Sequence, residues 1–282
     1  MAEPRLIDLL HLGGERVIGA YLLDTADGLV LHDCGPATTV DALRAGLAEL
    51  GVAVSDLQHL LLSHIHFDHA GAAGVLVREN PALTVHVSEI GAPHLIDPSR
   101  LERSARRIYL DHFERLWGSL VPIPEANVRV VGPRVLDFDC FPSPGHASHH
   151  VCYQRDGILY AGDAAGVRIE PSPLVMPPTP PPDVDLEAWD TTLDEIERRA
   201  PERLALIHFG IFDDVERHLG ALRERLHRFA AFVRDGASEE AFLELAHAEL
   251  GDEAPAYDNA FPPLQDYQGL ARYWAKQREA AD

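Results

Sequence analysis

The chain has 282 residues, 46% of them hydrophobic, which allows one large domain or two small ones and argues against general disorder. It carries 24 Lys and Arg residues against 45 Asp and Glu residues, for a formal net charge of −21. Such a surface repels phosphate backbones, so nucleic acid is not an expected partner. The N-terminus lacks a signal-peptide pattern and no apolar run approaches the ~20 residues of a spanning helix, so we expect a cytoplasmic protein that does not bind membranes.

The first third of the chain alternates short apolar runs with turns and helical patterns. These patterns predict the following strands and helices in chain order: strands at 5–11, 17–24 and 28–32, a helix at 39–50, a strand at 57–63, a helix at 70–78 and a strand at 83–87. The strand at 57–63 is a continuous apolar run, which is typical of a buried strand.

The middle of the chain interrupts this pattern. Residues 93–120 are rich in Arg, Glu, Leu and aromatic residues at helical spacing, which predicts one or two inserted helices. Strands are predicted next at 128–131, 134–138, 151–155 and 157–161. Seven prolines in the thirteen residues 171–183 predict a stiff, extended loop. A helix at 186–199, a strand at 203–207 and a helical pattern from 212 to the end complete an α/β chain.

Three cysteines, Cys34, Cys140 and Cys152, lie far apart in the sequence. Their odd number and wide spacing do not match a disulfide framework or a structural zinc site. We therefore expect all three to be buried apolar residues.

A cluster of metal-binding residue types follows the strand at 57–63. His64, His66, Asp68 and His69 lie within six residues, where a sharp loop would direct several side chains into one space. Neutral imidazoles and carboxylates are the usual ligands of zinc, and they also suit iron or manganese. The spacing therefore predicts a metal site at the end of this strand.

Three further candidates lie at predicted strand ends or in the loops that follow. They are His146 in Ser-Pro-Gly-His, Asp163 in Tyr-Ala-Gly-Asp and His208 in His-Phe-Gly. Each alone would more often be a structural residue, but all three repeat the layout of the first cluster. Ligands at several strand ends can converge on one edge of a sheet, where sites are common in α/β folds.

The run His-Ile-His-Phe-Asp-His resembles the HxHxDH signature of the metallo-β-lactamase superfamily, and the three later segments match its remaining ligand motifs in order. The resemblance implies an αββα four-layer sandwich at residues 1–210, with a helical insertion at about 93–120. Residues 211–282 would form a helical C-terminal extension packed on the core.

The same resemblance implies a two-metal site. His64, His66 and His146 would hold the first metal, Asp68, His69 and His208 the second, and Asp163 would bridge both. We expect two zinc ions per chain, with iron or manganese as alternatives. Asp68 is expected to accept a proton from the water that the metals activate.

Three other residues are candidates for supporting roles. Asp33 matches the family's acidic residue at a strand end, and we expect it to orient a ligand. His150, which follows the motif of His146, is expected to pack behind the ligands rather than bind metal. Arg168 is a candidate for binding a substrate carboxylate, with a simple surface charge as the alternative.

The resemblance implies a di-metal hydrolase of a small ester, lactone or thioester, nearest to the lactonase and glyoxalase II-like members. A bridging aspartate argues against β-lactams, because true metallo-β-lactamases lack it. The alternatives are a mono-iron oxidoreductase resembling the persulfide dioxygenases, a phosphodiesterase and a non-catalytic metal-binding protein. We expect a small-molecule substrate, and a homodimer remains open.

Overall fold

The computed structural model describes residues 3–281. Among these residues the strands are β1 (Arg5–Asp8), β2 (Gly19–Thr25), β3 (Gly28–His32), β4 (Leu57–Leu61), β5 (Thr84–Val87), β6 (Val128–Val130), β7 (Arg134–Val135), β8 (Phe138–Pro142), β9 (Val151–Arg155), β10 (Ile158–Tyr160), β11 (Arg203–Leu206) and β12 (Gly210–Phe212). The α-helices are α1 (Val40–Glu49), α2 (Phe67–Ala70), α3 (Ala73–Glu79), α4 (Ala92–Ile96), α5 (Ser99–Tyr109), α6 (Phe113–Leu116), α7 (Leu186–Arg199), α8 (Val215–Arg234), α9 (Glu239–Leu250), α10 (Ala254–Ala260) and α11 (Pro263–Ala281).

The strands belong to two six-stranded sheets, and helices lie between many of them. The expected α/β class is therefore confirmed. The chain divides into two compact units. The first unit comprises the described residues up to Pro142 together with Val151–Arg155, and the second comprises Ser143–His150 and the residues from Asp156 onwards.

The first unit contains one complete sheet, β1 to β6 in sequence order. Its first three strands are antiparallel, whereas β3 to β6 are parallel neighbours. The parallel strands carry the leucines and valines of the core, such as Val30, Leu60 and Val85, all fully buried. Parallel strands direct their carboxyl ends to the same sheet edge, so this arrangement brings the loops after β3 and β4 together.

The strand expected at 134–138 is two strands, β7 and β8, which form a tight antiparallel hairpin. The apolar pattern through these residues looks continuous, but Leu136 adopts a positive φ of 52° and turns the chain. The strand before the His146 loop is therefore β8, which pairs with β9.

The helices expected at 93–120 are present as α4, α5 and α6 in the first unit. A small core of Phe67, Ala105 and Phe113 lies beneath them, with Tyr109 and Trp117 packed against it. These aromatic side chains of the insertion therefore help to form a core.

The second unit contains β10, β11 and β12, then the helices α8 to α11 of the predicted helical tail. Strand β10 is parallel to β11, and β11 is antiparallel to β12. The sequence pattern missed β12 because it has three residues and its Gly210 has no side chain with which to show alternation.

All three cysteines are buried thiols outside any disulfide, as expected, and all three belong to the first unit. Cys34 lies beside the ligand motif, since its backbone N–H donates to the carbonyl of His69 at 2.8 Å. No helix within residues 3–281 is long and apolar enough to cross a bilayer.

Candidate metal centre

The motif residues of the first unit lie in a sharp turn after β4. His66 has extended backbone angles and stands as the N-cap of α2, and Asp68 lies in the first turn of that helix. The structure brings their side chains together. His64 Nε2 lies 3.0 Å from His66 Nδ1, and His69 Nε2 lies 3.8 Å from Asp68 Oδ2. We refer to residues 64–69 as the ligand turn.

Asp33 holds the ligand turn from the end of β3. Its Oδ1 accepts from the Ser63 N–H at 2.8 Å, and its Oδ2 accepts from Ser63 Oγ and His69 Nδ1, both at 2.8 Å. Burial alone would raise the pKa of Asp33, but the nearby His32 and His69 and these hydrogen bonds outweigh burial and lower it. Asp33 is therefore an ionised carboxylate that fixes the turn from behind.

These contacts fix which nitrogen of each imidazole carries the proton. A carboxylate only accepts, so His69 donates from Nδ1 to Asp33, and the Ser63 hydroxyl also donates to Asp33. Ser63 Oγ, 3.0 Å from His64 Nδ1, then acts as an acceptor for that N–H. His64 and His69 are left with a lone pair on Nε2, as a metal ligand requires.

The Phe67 side chain anchors the ligand turn to the inserted helices. Its ring makes an edge-to-face contact with Phe113, with centroids 5.4 Å apart, and stacks near Trp117. Phe67 occupies a variable position of the HxHxDH pattern and points into the small core instead of toward the ligands. The insertion thus supports the turn from its apolar side.

Asp163 and His208 of the second unit follow neighbouring parallel strands. Strand β10 leads into the turn that carries Asp163, and β11 ends two residues before His208. Because these parallel strands end at the same edge, the two side chains meet there, with His208 Nε2 3.7 Å from Asp163 Oδ1. His146 Nε2 lies 3.3 Å from Asp163 Oδ2, which completes the group in this unit.

His146 belongs to the short loop between β8 and β9. Gly145 precedes it with a φ of 137°, and a Cβ there would lie 2.4 Å from the Cα of Trp189 in α7. Only glycine allows the loop to approach that helix so closely. His146 Nδ1 lies 2.8 Å from the carbonyl oxygen of Pro178, to which it donates, so its lone pair is also on Nε2.

His150 supports the second unit's group through the backbone. Its Nε2 accepts from the Asp163 N–H at 3.2 Å, and Nδ1 then donates to Ser143 Oγ at 2.7 Å. Both ring nitrogens therefore have hydrogen-bond partners behind the candidate ligands.

Arg168 makes its contacts within the second unit. Its Nη1 donates to Asp214 Oδ1 at 2.6 Å, its Nε donates to the carbonyl of Ser172, and its guanidinium lies over the ring of Phe212. The side chain is 12% exposed. The Asp214 carboxylate thus pairs with its charge, and the Phe212 ring packs against the planar face of its guanidinium.

The sequence patterns did not predict several residues that lie at the candidate centre. Ser63 and the Pro178 carbonyl hold ligands, and Phe261, after α10, presents its ring edge-on to both His146 and His208, with centroids 6.3 and 6.2 Å away. The position of Ser63 just before the motif was a usable signal. A backbone carbonyl and a distant phenylalanine left no pattern.

The donor set of each unit fits a divalent metal ion. Two ligand atoms that each lie 2.0–2.1 Å from one tetrahedral zinc ion would be about 3.3 Å apart. The nitrogens of His64 and His66 are 3.0 Å apart, and the facing atoms of His146 and Asp163 are 3.3 Å apart. Buried imidazoles with fixed tautomers and carboxylates are the chemistry that zinc and iron prefer.

The model of the metallo-beta-lactamase superfamily matches residues 13–210, well over half of the chain. The chain belongs to the metallo-beta-lactamase superfamily. The match contains all the candidate ligands and ends before α8, so the superfamily pattern does not include the helical tail.

Among relatives of this superfamily member is the "Metallo-beta-lactamase fold-containing protein ST1585" of Sulfurisphaera tokodaii. It is 26% identical over 174 residues, which are 58% of this chain and 65% of that protein. A hydroxyacylglutathione hydrolase of Salmonella paratyphi A is 28% identical over 108 residues, or 37% of this chain and 32% of the hydrolase. The chain thus spans less than two thirds of the length of these relatives.

Solved structures of the superfamily share the fold. The crystal structure of ST1585 from Sulfolobus tokodaii superposes with a TM-score of 0.69 at 18% identity, over 96% of this chain and 98% of that one. The structure of TTHA1623 in a di-iron-bound form gives a TM-score of 0.56 at 24% identity, over 78% of this chain and 96% of that one. At these identities the likeness concerns the fold alone.

Proposed function

We propose that this protein is a metal-dependent hydrolase that uses two metal ions, zinc in the first instance, to cleave a small ester, lactone or thioester. The observation that carries the proposal is the fixed protonation of three buried imidazoles. His64, His69 and His146 each donate Nδ1–H to an oxygen, which leaves Nε2 for a cation. Hydrogen bonding of this kind is typical of ligands that hold a catalytic metal.

As the superfamily pattern implies, we assign His64, His66 and His146 to one ion and Asp68, His69 and His208 to the other, with Asp163 shared by both. When bound, such ions lower the pKa of water to about 7 and so supply a nucleophile at neutral pH. Asp68, whose side chain is 10% exposed, is proposed to accept the proton that this water releases. Asp33 and the Pro178 carbonyl keep the ligands aligned.

The substrate class rests on charge and on the surroundings of the ligands. A net charge of −21 disfavours polyanionic substrates. Phe261 offers an apolar ring beside His146 and His208, which suits a neutral acyl or ring group. The similar hydroxyacylglutathione hydrolase bears the name of a thioester-cleaving enzyme, which keeps thioesters within the proposed class.

The test is metal analysis combined with a substrate panel. Protein purified without chelator should contain two metal equivalents per chain, and removing them should abolish hydrolysis until zinc is restored. The kcat/KM values of lactones, aryl esters, thioesters and bis(p-nitrophenyl) phosphate should favour a carbonyl substrate on the same zinc-loaded sample.

His146→Ala should lower both metal content and hydrolysis. His247→Ala is the matched control, because this histidine is 45% exposed and pairs with Asp258 in the helical tail. One equivalent of iron with redox activity would refute the hydrolase, and a tenfold preference for the phosphodiester would refute the carbonyl substrate.

A further inference from the structure

The loop of residues 171–183, which we call the proline strap, is poor in backbone hydrogen-bond donors. Seven of its thirteen residues are proline and have no N–H. Its backbone makes an isolated bridge between Val167 and Met176, and the Ser172 N–H donates to the Ile169 carbonyl. Side chains from other elements must therefore hold much of the strap in place.

Helix α11 holds the strap at three points. Asp266 Oδ1 accepts from the Thr179 N–H at 2.7 Å, and the Thr179 hydroxyl lies 3.3 Å from the same oxygen. At Gly269 a Cβ would lie 1.8 Å from the Thr179 carbonyl oxygen, so the helix and strap backbones touch. Farther along, Lys276 Nζ donates to the Pro182 carbonyl at 2.8 Å.

One peptide group of the strap connects this anchor to a candidate ligand. The carbonyl of Pro178 and the N–H of Thr179 belong to the same planar unit. Its oxygen accepts from His146 Nδ1 at 2.8 Å, while its N–H donates to Asp266. Fixing the N–H end fixes the direction of the carbonyl, and a hydrogen bond at one end of an amide strengthens the bond at the other.

The Asp266 side chain is suited to a fixed structural contact. It is 3% exposed, and burial raises its pKa well above the ordinary value, which favours the neutral carboxyl. A neutral carboxyl and a carboxamide have nearly the same shape, and each has a carbonyl oxygen that accepts a hydrogen bond.

We propose that Asp266 is a positioning residue for His146, acting through the Pro178–Thr179 peptide. The proposal rests on the proposed function in one respect, that His146 binds metal. It assigns a role in the centre to the helical tail, which lies outside the superfamily match of residues 13–210. The tail would then set the affinity of the ion that His146 holds.

The experiment measures zinc affinity of the full chain by competition with a chromophoric chelator. Asp266→Ala removes the acceptor of the Thr179 N–H, so one of the two zinc ions should bind about 10- to 100-fold more weakly, the usual cost of losing a supporting contact. The second zinc ion should be unaffected. Asp266→Asn should bind both ions like wild type, because its side-chain oxygen still accepts.

The matched control is Trp274→Phe, which removes a hydrogen bond from the same helix to Ala230 in α8 and leaves Asp266, Gly269 and Lys276 in place. It should lower thermal stability and leave zinc affinity unchanged. If Asp266→Ala does not fold, Asp266→Ser replaces it, since its shorter side chain also withdraws the acceptor.

The outcomes separate the two proposals. Wild-type protein that binds no zinc would overturn both. Wild-type protein with two tight zinc ions and an Asp266→Ala variant that binds them equally well would overturn only the role of Asp266. Equal weakening of both ions, or failure of Asp266→Asn to restore binding, would show a general structural effect and overturn it as well.

Discussion

The candidate ligands of the first and second units are held by different means. In the first unit four of them occupy one turn of six residues, and the side chains of Asp33 and Ser63 hold that turn. In the second unit three ligands come from three separate loops, and His146 takes its orientation from a backbone carbonyl. The ligands of the first unit are neighbours in sequence, whereas those of the second unit meet only through the fold. In both units a residue more than thirty positions away orients a ligand, Asp33 for His69 and Pro178 for His146.

The pKa values of the buried aspartates behind the two sets are also shifted in opposite directions. The pKa of Asp33 is lowered, because imidazoles and N–H donors surround it, whereas burial and the nearby Asp163 raise the pKa of Asp266. A carboxylate strengthens its hydrogen bonds through charge, while a neutral carboxyl accepts through its carbonyl oxygen without that charge. Variants that keep shape and remove charge should therefore affect only the first unit.

The largest effect is expected for Asp163→Ala in the second unit. We propose Asp163 as the residue shared by both ions, so its loss should disturb both ions and leave the fold intact. Hydrolysis should fall at least ~100-fold, as expected when a hydroxide-generating site is disordered. Steady-state kinetics and metal analysis check this, and normal turnover of the best substrate would show that Asp163 is not a ligand.

Asp33→Asn should have the next largest effect and tests the difference in charge directly. Asparagine keeps the shape of Asp33 but brings an NH₂ group toward the Ser63 and His69 donors. Zinc affinity should fall about 10- to 100-fold, in contrast to the Asp266→Asn variant. Chelator competition on the two variants, measured side by side, gives the answer. If Asp33→Asn and Asp266→Asn bind zinc with equal affinity, the two aspartates do not differ in how far they depend on charge.

A smaller effect is expected on acidification, through buried histidines such as His86 and His218. Burial lowers the pKa of His86 in the first unit and of His218 in the second to about 4. The pKa of each histidine in the folded protein lies below the unfolded value of 6.5. Its contribution to the unfolding free energy is therefore complete above pH 6.5 and is lost as the pH falls toward 4.

Wild type should lose unfolding free energy between pH 7.5 and 5. In His218→Gln this loss should be smaller by about 2 kcal/mol, as follows from the difference between the folded and unfolded pKa values of His218. Urea unfolding of wild type and variant at both pH values measures the difference. A variant that loses as much stability as wild type would show that His218 does not cause this pH dependence.

The sequence was most informative where physical constraints are local. The apolar run that becomes β4 and the dense motif after it predicted both the strand and the candidate ligands that follow. The hairpin of β7 and β8 was missed because a single positive φ at Leu136 divides a pattern that looks continuous. Asp137 was the one turn-favouring residue there, and a leucine at positive φ leaves no pattern of its own.

The supporting contacts could be predicted only where a side chain stood near a recognisable motif. Asp33 was predicted from its place at a strand end, and the structure places it against Ser63 and His69. Asp266 was not predicted, since one acidic residue on a helix is usually exposed. Its burial depends on the close approach of α11 to the proline strap, which is tertiary packing that no local pattern encodes.

The three cysteines of the first unit can be used to measure its local opening. Cys34, Cys140 and Cys152 are all buried thiols of that unit, and Cys34 Sγ lies 3.3 Å from the carbonyl of His69. A thiol reagent can react only after the surrounding structure opens, so labelling rates measure the free energy of that opening. If metal binding tightens the ligand turn, Cys34 should be labelled more slowly with zinc than with chelator, as peptide mass spectrometry would show. Equal rates would mean that the turn is already rigid without metal.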